Sequence, residues 1–168
     1  MKRLILLMAV ALMSAMQVNA QEKVSEKELV GAWMMDSMIY DNGNIIVWGL
    51  KRGYRQFKYY GPNGEYAAAG ISITKTSSGT TSLSIMPQEY GVYTFKDGWY
   101  SEMGRKATND GMKLTDKTTF KGRYQNHLDV WKRAHLSKKT VKYIVDCCKK
   151  NTIPTNVEED ILKEMFSK

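Results

Sequence analysis

The residues of this chain best suited to do chemistry are a few carboxylates and two histidines, His127 and His135. His127 and Asp129 lie two apart in "NHLDVW", so on a strand they share a face. Such a pair could begin a metal site or an acid–base couple. A metal would need a third ligand from elsewhere, and Glu102 or Asp36 are the residues of the right type. Otherwise the pair is a polar rim. Glu102, in "GWYSEMG", shares a face with Tyr100 and opposes Trp99 and Met103. Pointing inward, it would sit in an apolar cup and need an Arg, a Tyr or a ligand, because an unpaired buried carboxylate is costly. Arg55, Arg105 and Arg123 are candidates by type. Pointing outward, it is solvated.

The motifs of common enzyme classes are missing. There is no Gly-x-Ser-x-Gly elbow, no His-Glu-x-x-His and no glycine-rich phosphate loop. The reading is therefore non-enzymatic, with no cofactor and no metal. Cys147 and Cys148 are adjacent, which is no disulfide framework. Cys148 reads as a small hydrophobe packed in a core. The formal charge is +8, or about +6 without residues 1–20. Its basic residues are scattered, with no helix-turn-helix or RNA-binding pattern, which argues against nucleic acid. A modest positive balance suits an acidic ligand or an anionic surface.

The elements that would position these groups are mostly strands. All four Trp and nine of the ten Tyr fall between Trp33 and Trp131. Turn signals punctuate that region: "DNGN" at 41–44, "GPNG" at 61–64, "KDG" at 96–98 and "NDG" at 109–111. Between them, polar and apolar residues alternate. Ala67, Ala69, Ile71 and Ile73 share a face; Tyr93 and Phe95 oppose Val92 and Thr94; Leu83 and Ile85 oppose Ser82 and Ser84. An antiparallel meander of this length hides its edges by closing into a barrel. The polar stretch 74–82 reads as a flexible loop or a long hairpin. The last third is helical. Ser137 is a plausible N-cap for a helix carrying Val141, Ile144, Val145 and Cys148 on one face. A capping box, Thr155-x-x-Glu158, opens a second helix. Both helices should dock on the barrel wall or over an open end.

Residues 1–20 read as a signal peptide: Lys2 and Arg3, the apolar run "LILLMAVALM", and small residues before Gln21. The rest, 21–168, is expected to be one exported domain, periplasmic or secreted. Its barrel should span about 29–134 and its helices about 137–168. No later stretch is apolar enough to span a bilayer.

With these pieces in order, the chain resembles the lipocalin-like (calycin) superfamily, and in particular small exported lipocalin-like domains of uncharacterised function from gut bacteria. The likeness rests on Leu29-x-Gly31-x-Trp33, on the hairpins "FKYYGPNGEY" and "GVYTFKDGWYSEM", and on "FKGRYQNHLDVWKR", covering about residues 29–134. The usual second motif, a Thr-Asp pair, has its letters only in "KLTDKTT" at 113–119. The resemblance implies a mainly β fold: an antiparallel up-and-down β-barrel with a C-terminal α-helical pair. It implies that Trp33 packs at the closed end with Arg133 across its indole, a cation–π contact worth about 0.5–2 kcal/mol.

Tyr59, Tyr66, Tyr93, Trp99, Glu102, Tyr124 and Trp131 lie where about half should face the interior. An eight-stranded barrel holds one small ligand or fills with its own side chains. These seven are the candidate ligand-binding residues, for a small hydrophobic or amphipathic molecule, anionic if the charge decides. The alternative is a protein-interaction or protease-inhibitor-like module, acting through loop 74–82 or the helical tail on a solid barrel.

Overall fold

The computed structural model describes residues 25–47, 53–75, 77, 81–109, 118–155 and 157–166. The expected leader and the Thr115-Asp116 pair lie outside them. Among the described residues the first element is one helical turn, α1 (Glu26–Leu29). Nine strands come after it there: β1 (Gly31–Tyr40), β2 (Ile45–Val47), β3 (Tyr54–Tyr60), β4 (Glu65–Lys75), β5 (Thr81–Lys96), β6 (Trp99–Glu102), β7 (Arg105–Asn109), β8 (Thr119–Arg123) and β9 (His127–Arg133). Two helices are the last described elements, α2 (Lys138–Lys150) and α3 (Glu159–Phe166).

Every pairing is antiparallel. β1 pairs with β3 along Gly31–Met34 and with β9 along Trp33–Tyr40, so β1 and β3–β9 close into an eight-stranded up-and-down barrel. β2 is a short strip on the far half of β1. The lipocalin-like architecture is thus present, with the helical pair at its end. Three of the four expected turns fall where Asn-Gly and Asp-Gly lie: Gly43, Gly64, Asp97 and Gly98 all have positive φ, while the turn expected at 109–111 runs outside the described residues. Two turns wholly within the described residues carry no such signal, and Tyr124 to Asn126 form the one between β8 and β9. Met103 (φ 50°) and Gly104 (φ 87°) link β6 to β7. Stretch 74–82 belongs to a long hairpin, paired out to Lys75 and Thr81.

A bulge at Asp36, where β1 steps from Met35 to Ser37 against β9, reverses the alternation. Met38 therefore turns inward and packs with the interior cluster.

Two cores share the wall. Inside the barrel lie Trp33, Met35, Tyr60, Tyr66, Tyr93, Tyr100, Phe120 and Trp131. Outside, Phe57, Ala67, Ala69, Ile71, Leu83 and Ile85 are covered by Ile144, Val145, Cys147 and Cys148 of α2 and Ile161 and Met165 of α3. The helices thus dock on the wall, and β4 is buried on both faces. Ser137 caps α2 as expected, its side chain accepting from the Thr140 N–H, and Asn151 ends the helix in the left-handed region. Cys148 donates to the Ala68 carbonyl at 3.3 Å, and burial raises its thiol pKa to about 11. The Thr155 capping box does not form: α3 starts at Glu159, and the Glu158 carbonyl accepts its first bond from Leu162 N–H at 3.0 Å.

The closed end is built as the resemblance implies. The Trp33 indole N–H donates to the Leu29 carbonyl at 2.8 Å. The Arg133 guanidinium lies over the Trp33 ring, 3.8 Å from its centroid, and donates to the Val30 carbonyl at 2.7 Å and the Glu28 carbonyl at 2.6 Å. One side chain thus covers an indole and satisfies carbonyls around the end of α1. Gly31 makes room for it: at φ 130°, a Cβ there would fall 2.4 Å from Arg133 Nη1. This is the physical reason for Gly31-x-Trp33 at one end of the barrel sequence and Arg133 at the other.

Candidate functional site

Alternate residues of β3, β6 and β9 bring a charged centre into the barrel above the aromatic floor. Lys58 and Tyr60 alternate on β3, Tyr100 and Glu102 on β6, and Asp129 and Trp131 on β9. The Lys58 ammonium donates to both Glu102 oxygens at 2.8 Å. Tyr60 Oη donates a short bond to Glu102 Oε1, and Tyr124 Oη donates to Oε2 at 3.1 Å. Lys58 Nζ also lies 3.3 Å from Tyr124 Oη and 4.5 Å above the Trp131 ring. Glu102 is only 2% exposed and Lys58 7%.

Burial by itself would discharge Lys58. The attraction of Glu102 outweighs it and holds the amine above its ordinary range. Burial also raises the phenols of Tyr60, Tyr100 and Tyr124, so they stay protonated and act as donors. A charged pair at this depth repays its desolvation only when nearly every lone pair is used. Glu102 meets that condition, with three donors around it.

Above this centre the barrel opens. A pocket of about 360 Å³ is bounded by Gln56, Lys58, Tyr66 and Glu102 below and by Gln88, Glu89, Arg105, Tyr124, His127 and Asp129 towards solvent. Arg105 donates a short bond to Glu89 at the rim. The His127 ring stacks on Tyr124, centroids 5.4 Å apart and planes 20° apart, and its Nδ1 lies 2.7 Å from Asn126 Oδ1. Asp129 is 5% exposed, and its Oδ1 lies 3.5 Å from His127 Nε2. Among the described residues, the buried side-chain atoms without a hydrogen-bond partner are Tyr100 Oη, Asp129 Oδ1 and Trp131 Nε1. The Trp131 N–H is near enough to lower the Asp129 pKa, yet falls outside hydrogen-bond geometry. Burial wins at Asp129 and raises its carboxyl above the usual range, against Lys58 and His127.

The seven expected binding residues separate into three groups. Tyr66, Glu102 and Tyr124 border the pocket, with Tyr124 just past the end of β8. Trp131 lies beneath Lys58, and Tyr93 is in the packed floor, its hydroxyl donating to the Gly61 carbonyl at 2.9 Å. Tyr59 and Trp99 point out of the barrel. Tyr59 packs in the outer core, because its neighbours Lys58 and Tyr60 take the inner face. Trp99 is 51% exposed, because Tyr100 and Glu102 take the inner face of β6.

Glu102 is inward, and its cation is Lys58 rather than Arg55, Arg105 or Arg123. The missed signal was alternation in "YRQFKYY", which puts Lys58 on the face of Tyr60. His127 and Asp129 do share a face, at the mouth. Among the described residues no group of three or more His, Cys, Asp or Glu could hold a metal ion. No helix among them is long and apolar enough to cross a membrane. The barrel is therefore solid below and open above, where two alternatives had stood. A larger groove, about 610 Å³, runs outside along α2 and β1, but none of the unpartnered buried atoms lines it.

Comparison with known proteins adds little. No family model matches the chain, and no curated protein matches it. Among solved structures it is similar to the crystal structure of a lipocalin-like protein from Bacteroides uniformis ATCC 8492. That match has 12% identity and a TM-score of 0.40, over 63% of this chain and 98% of the other.

Proposed function

We propose that this protein binds a small amphipathic molecule at the mouth of its barrel and performs no reaction on it. The observation that carries this reading is the 360 Å³ pocket above a buried charged centre, with an unpartnered Asp129 oxygen at its wall. Small-ligand sites combine a concave shape with a few convergent polar groups. Here the apolar part comes from Tyr66, Ala68 and the Tyr124–His127 stack, and the polar part from β3, β6 and β9. The non-catalytic part of the reading rests on Glu102. A carboxylate already accepting from Lys58, Tyr60 and Tyr124 has no free lone pair with which to take a substrate proton. Export belongs to the same proposal, and its mature chain would begin at Gln21.

Native mass spectrometry of the protein purified from its own host tests this. A co-purifying small molecule, together with a mature mass beginning at Gln21, is the expected result. A ligand at a hundred times its Kd would also stabilise the fold by about 2.7 kcal/mol, visible as a rise in Tm. A clean unliganded mass, with no thermal shift across fatty acyl, sterol and aromatic probes, would refute ligand binding. α2 and α3 spend their apolar faces on the wall, which leaves the helical tail less to offer a protein partner.

A further inference from the structure

The charges around the mouth do not cancel. Lys58 is matched by Glu102 and Arg105 by Glu89, each through a direct ion pair. The remaining ionisable groups at the pocket wall are Asp129 and His127, which stand 3.5 Å apart. No Lys or Arg pairs with Asp129, so carboxylates outnumber Lys and Arg at the mouth by one charge. That charge sits on Asp129, which is 5% exposed and has an oxygen without a hydrogen-bond partner. This local balance is opposite in sign to the whole chain, which carries a formal +8. Overall charge had suggested an anionic guest. The pocket wall argues for the reverse, because short-range partners outweigh scattered and screened surface charge.

Building on the ligand-binding reading above, we infer that the mouth is selective for a small cationic amine carrying an apolar or aromatic group. Its ammonium would pair with the Asp129 carboxylate and supply the missing countercharge. Its apolar part would lie against Tyr66 and the Tyr124–His127 stack, whose ring faces also favour cations. Glu102 and Glu89 would not compete for it, because their own cations occupy them. The raised Asp129 pKa fits the same picture: burial opposes this charge, and the protein's own cations do not fully answer it.

Three probes with nearly the same skeleton separate charge from shape: 2-phenylethylamine, 2-phenylethanol and phenylacetate. Isothermal titration of the full-length mature protein at pH 8 should show the amine binding at least roughly tenfold tighter than the alcohol, with phenylacetate weakest. Asp129→Asn should lower the amine's affinity far more than the alcohol's, so that the amine's advantage is lost. The wild-type comparison stands whether or not the variant folds. If the alcohol or phenylacetate binds as tightly as the amine, and shifts the amide resonances of the mouth, amine selectivity is wrong while ligand binding at the mouth survives. If none of the three binds, amine selectivity falls, while ligand binding at the mouth is decided separately by the native mass spectrum.

Discussion

Lys58→Met removes the only ammonium from the buried centre and keeps most of the apolar stem. Glu102, 2% exposed, would keep the Tyr60 and Tyr124 bonds and lose both contacts to Lys58. Removing one member of a buried ion pair costs about 3–5 kcal/mol, because the charge left behind must be desolvated without its partner. For a domain of this size 1 kcal/mol moves Tm by about 3–5 °C, so the midpoint should fall by about 10–20 °C. The pH dependence has a definite sign. In the variant, burial opposes ionisation of Glu102 in the folded state alone. The deficit should then be largest at neutral pH and shrink as pH falls towards the ordinary carboxylate range. A second substitution, Glu102→Gln, removes the stranded charge and leaves an amide that can still meet both phenols. The double variant should therefore be more stable than Lys58→Met alone, by about 2 kcal/mol or more. Urea unfolding followed by circular dichroism at pH 7.5 and pH 5 measures all of this. A loss under about 1 kcal/mol, the scale of a surface pair, would refute the argument. So would a double variant no more stable than the single one.

Four other expectations come from the closed end, the floor and the mouth. Arg133→Met should cost about 2–3 kcal/mol in chemical denaturation, through loss of the indole contact and two carbonyl bonds; Arg133→Lys should restore less than half, because an ammonium cannot lie flat on Trp33 and reach both carbonyls. Tyr100→Phe deletes a buried hydroxyl that has no partner, so it should be neutral or stabilise by up to about 1 kcal/mol. Gly122→Ala alone should destabilise, since a Cβ there would fall 1.9 Å from Tyr100 Oη, and the same Tyr100→Phe change should rescue it, the next ring atom lying 3.0 Å away. Asp129→Asn should raise Tm at neutral pH without ligand. Because the folded pKa of Asp129 lies above the unfolded value, this advantage is full above the folded pKa and vanishes below about pH 4; a pH series of thermal melts that shows no closing gap would refute it.

The fold was largely legible because its signals are local. Glycine-containing turns set the hairpins, and Gly31, Trp33 and Arg133 meet where the barrel shuts. The site was harder to read, for two physical reasons. First, β3 and β4 are buried on both faces, one by the barrel and one by α2 and α3. A strand covered on both sides loses the polar–apolar alternation that marks inside from outside, so the period of two puts Lys58 with Tyr60 without telling whether that face or the face of Tyr59 is the inner one. Second, the bulge at Asp36 and the Met103-Gly104 turn shift positions without any propensity signal.

Interior positions taken strand by strand do hold the missing information. From the closed end outward, β3 offers Tyr60, Lys58 and Gln56; β9 offers Trp131, Asp129 and His127; β6 offers Tyr100 and then Glu102. These strands do not all run in the same direction, yet each passes from aromatic to ionisable at the same height in the barrel. An aromatic layer filling the lower half makes the upper half a place where polar groups must find partners. Lys58 and Glu102 find each other, and Asp129 does not. The boundary between the filled and open halves therefore coincides with the one buried carboxylate that has no Lys or Arg ion pair among the described residues, a group that a barrel filled only by its own side chains does not need there.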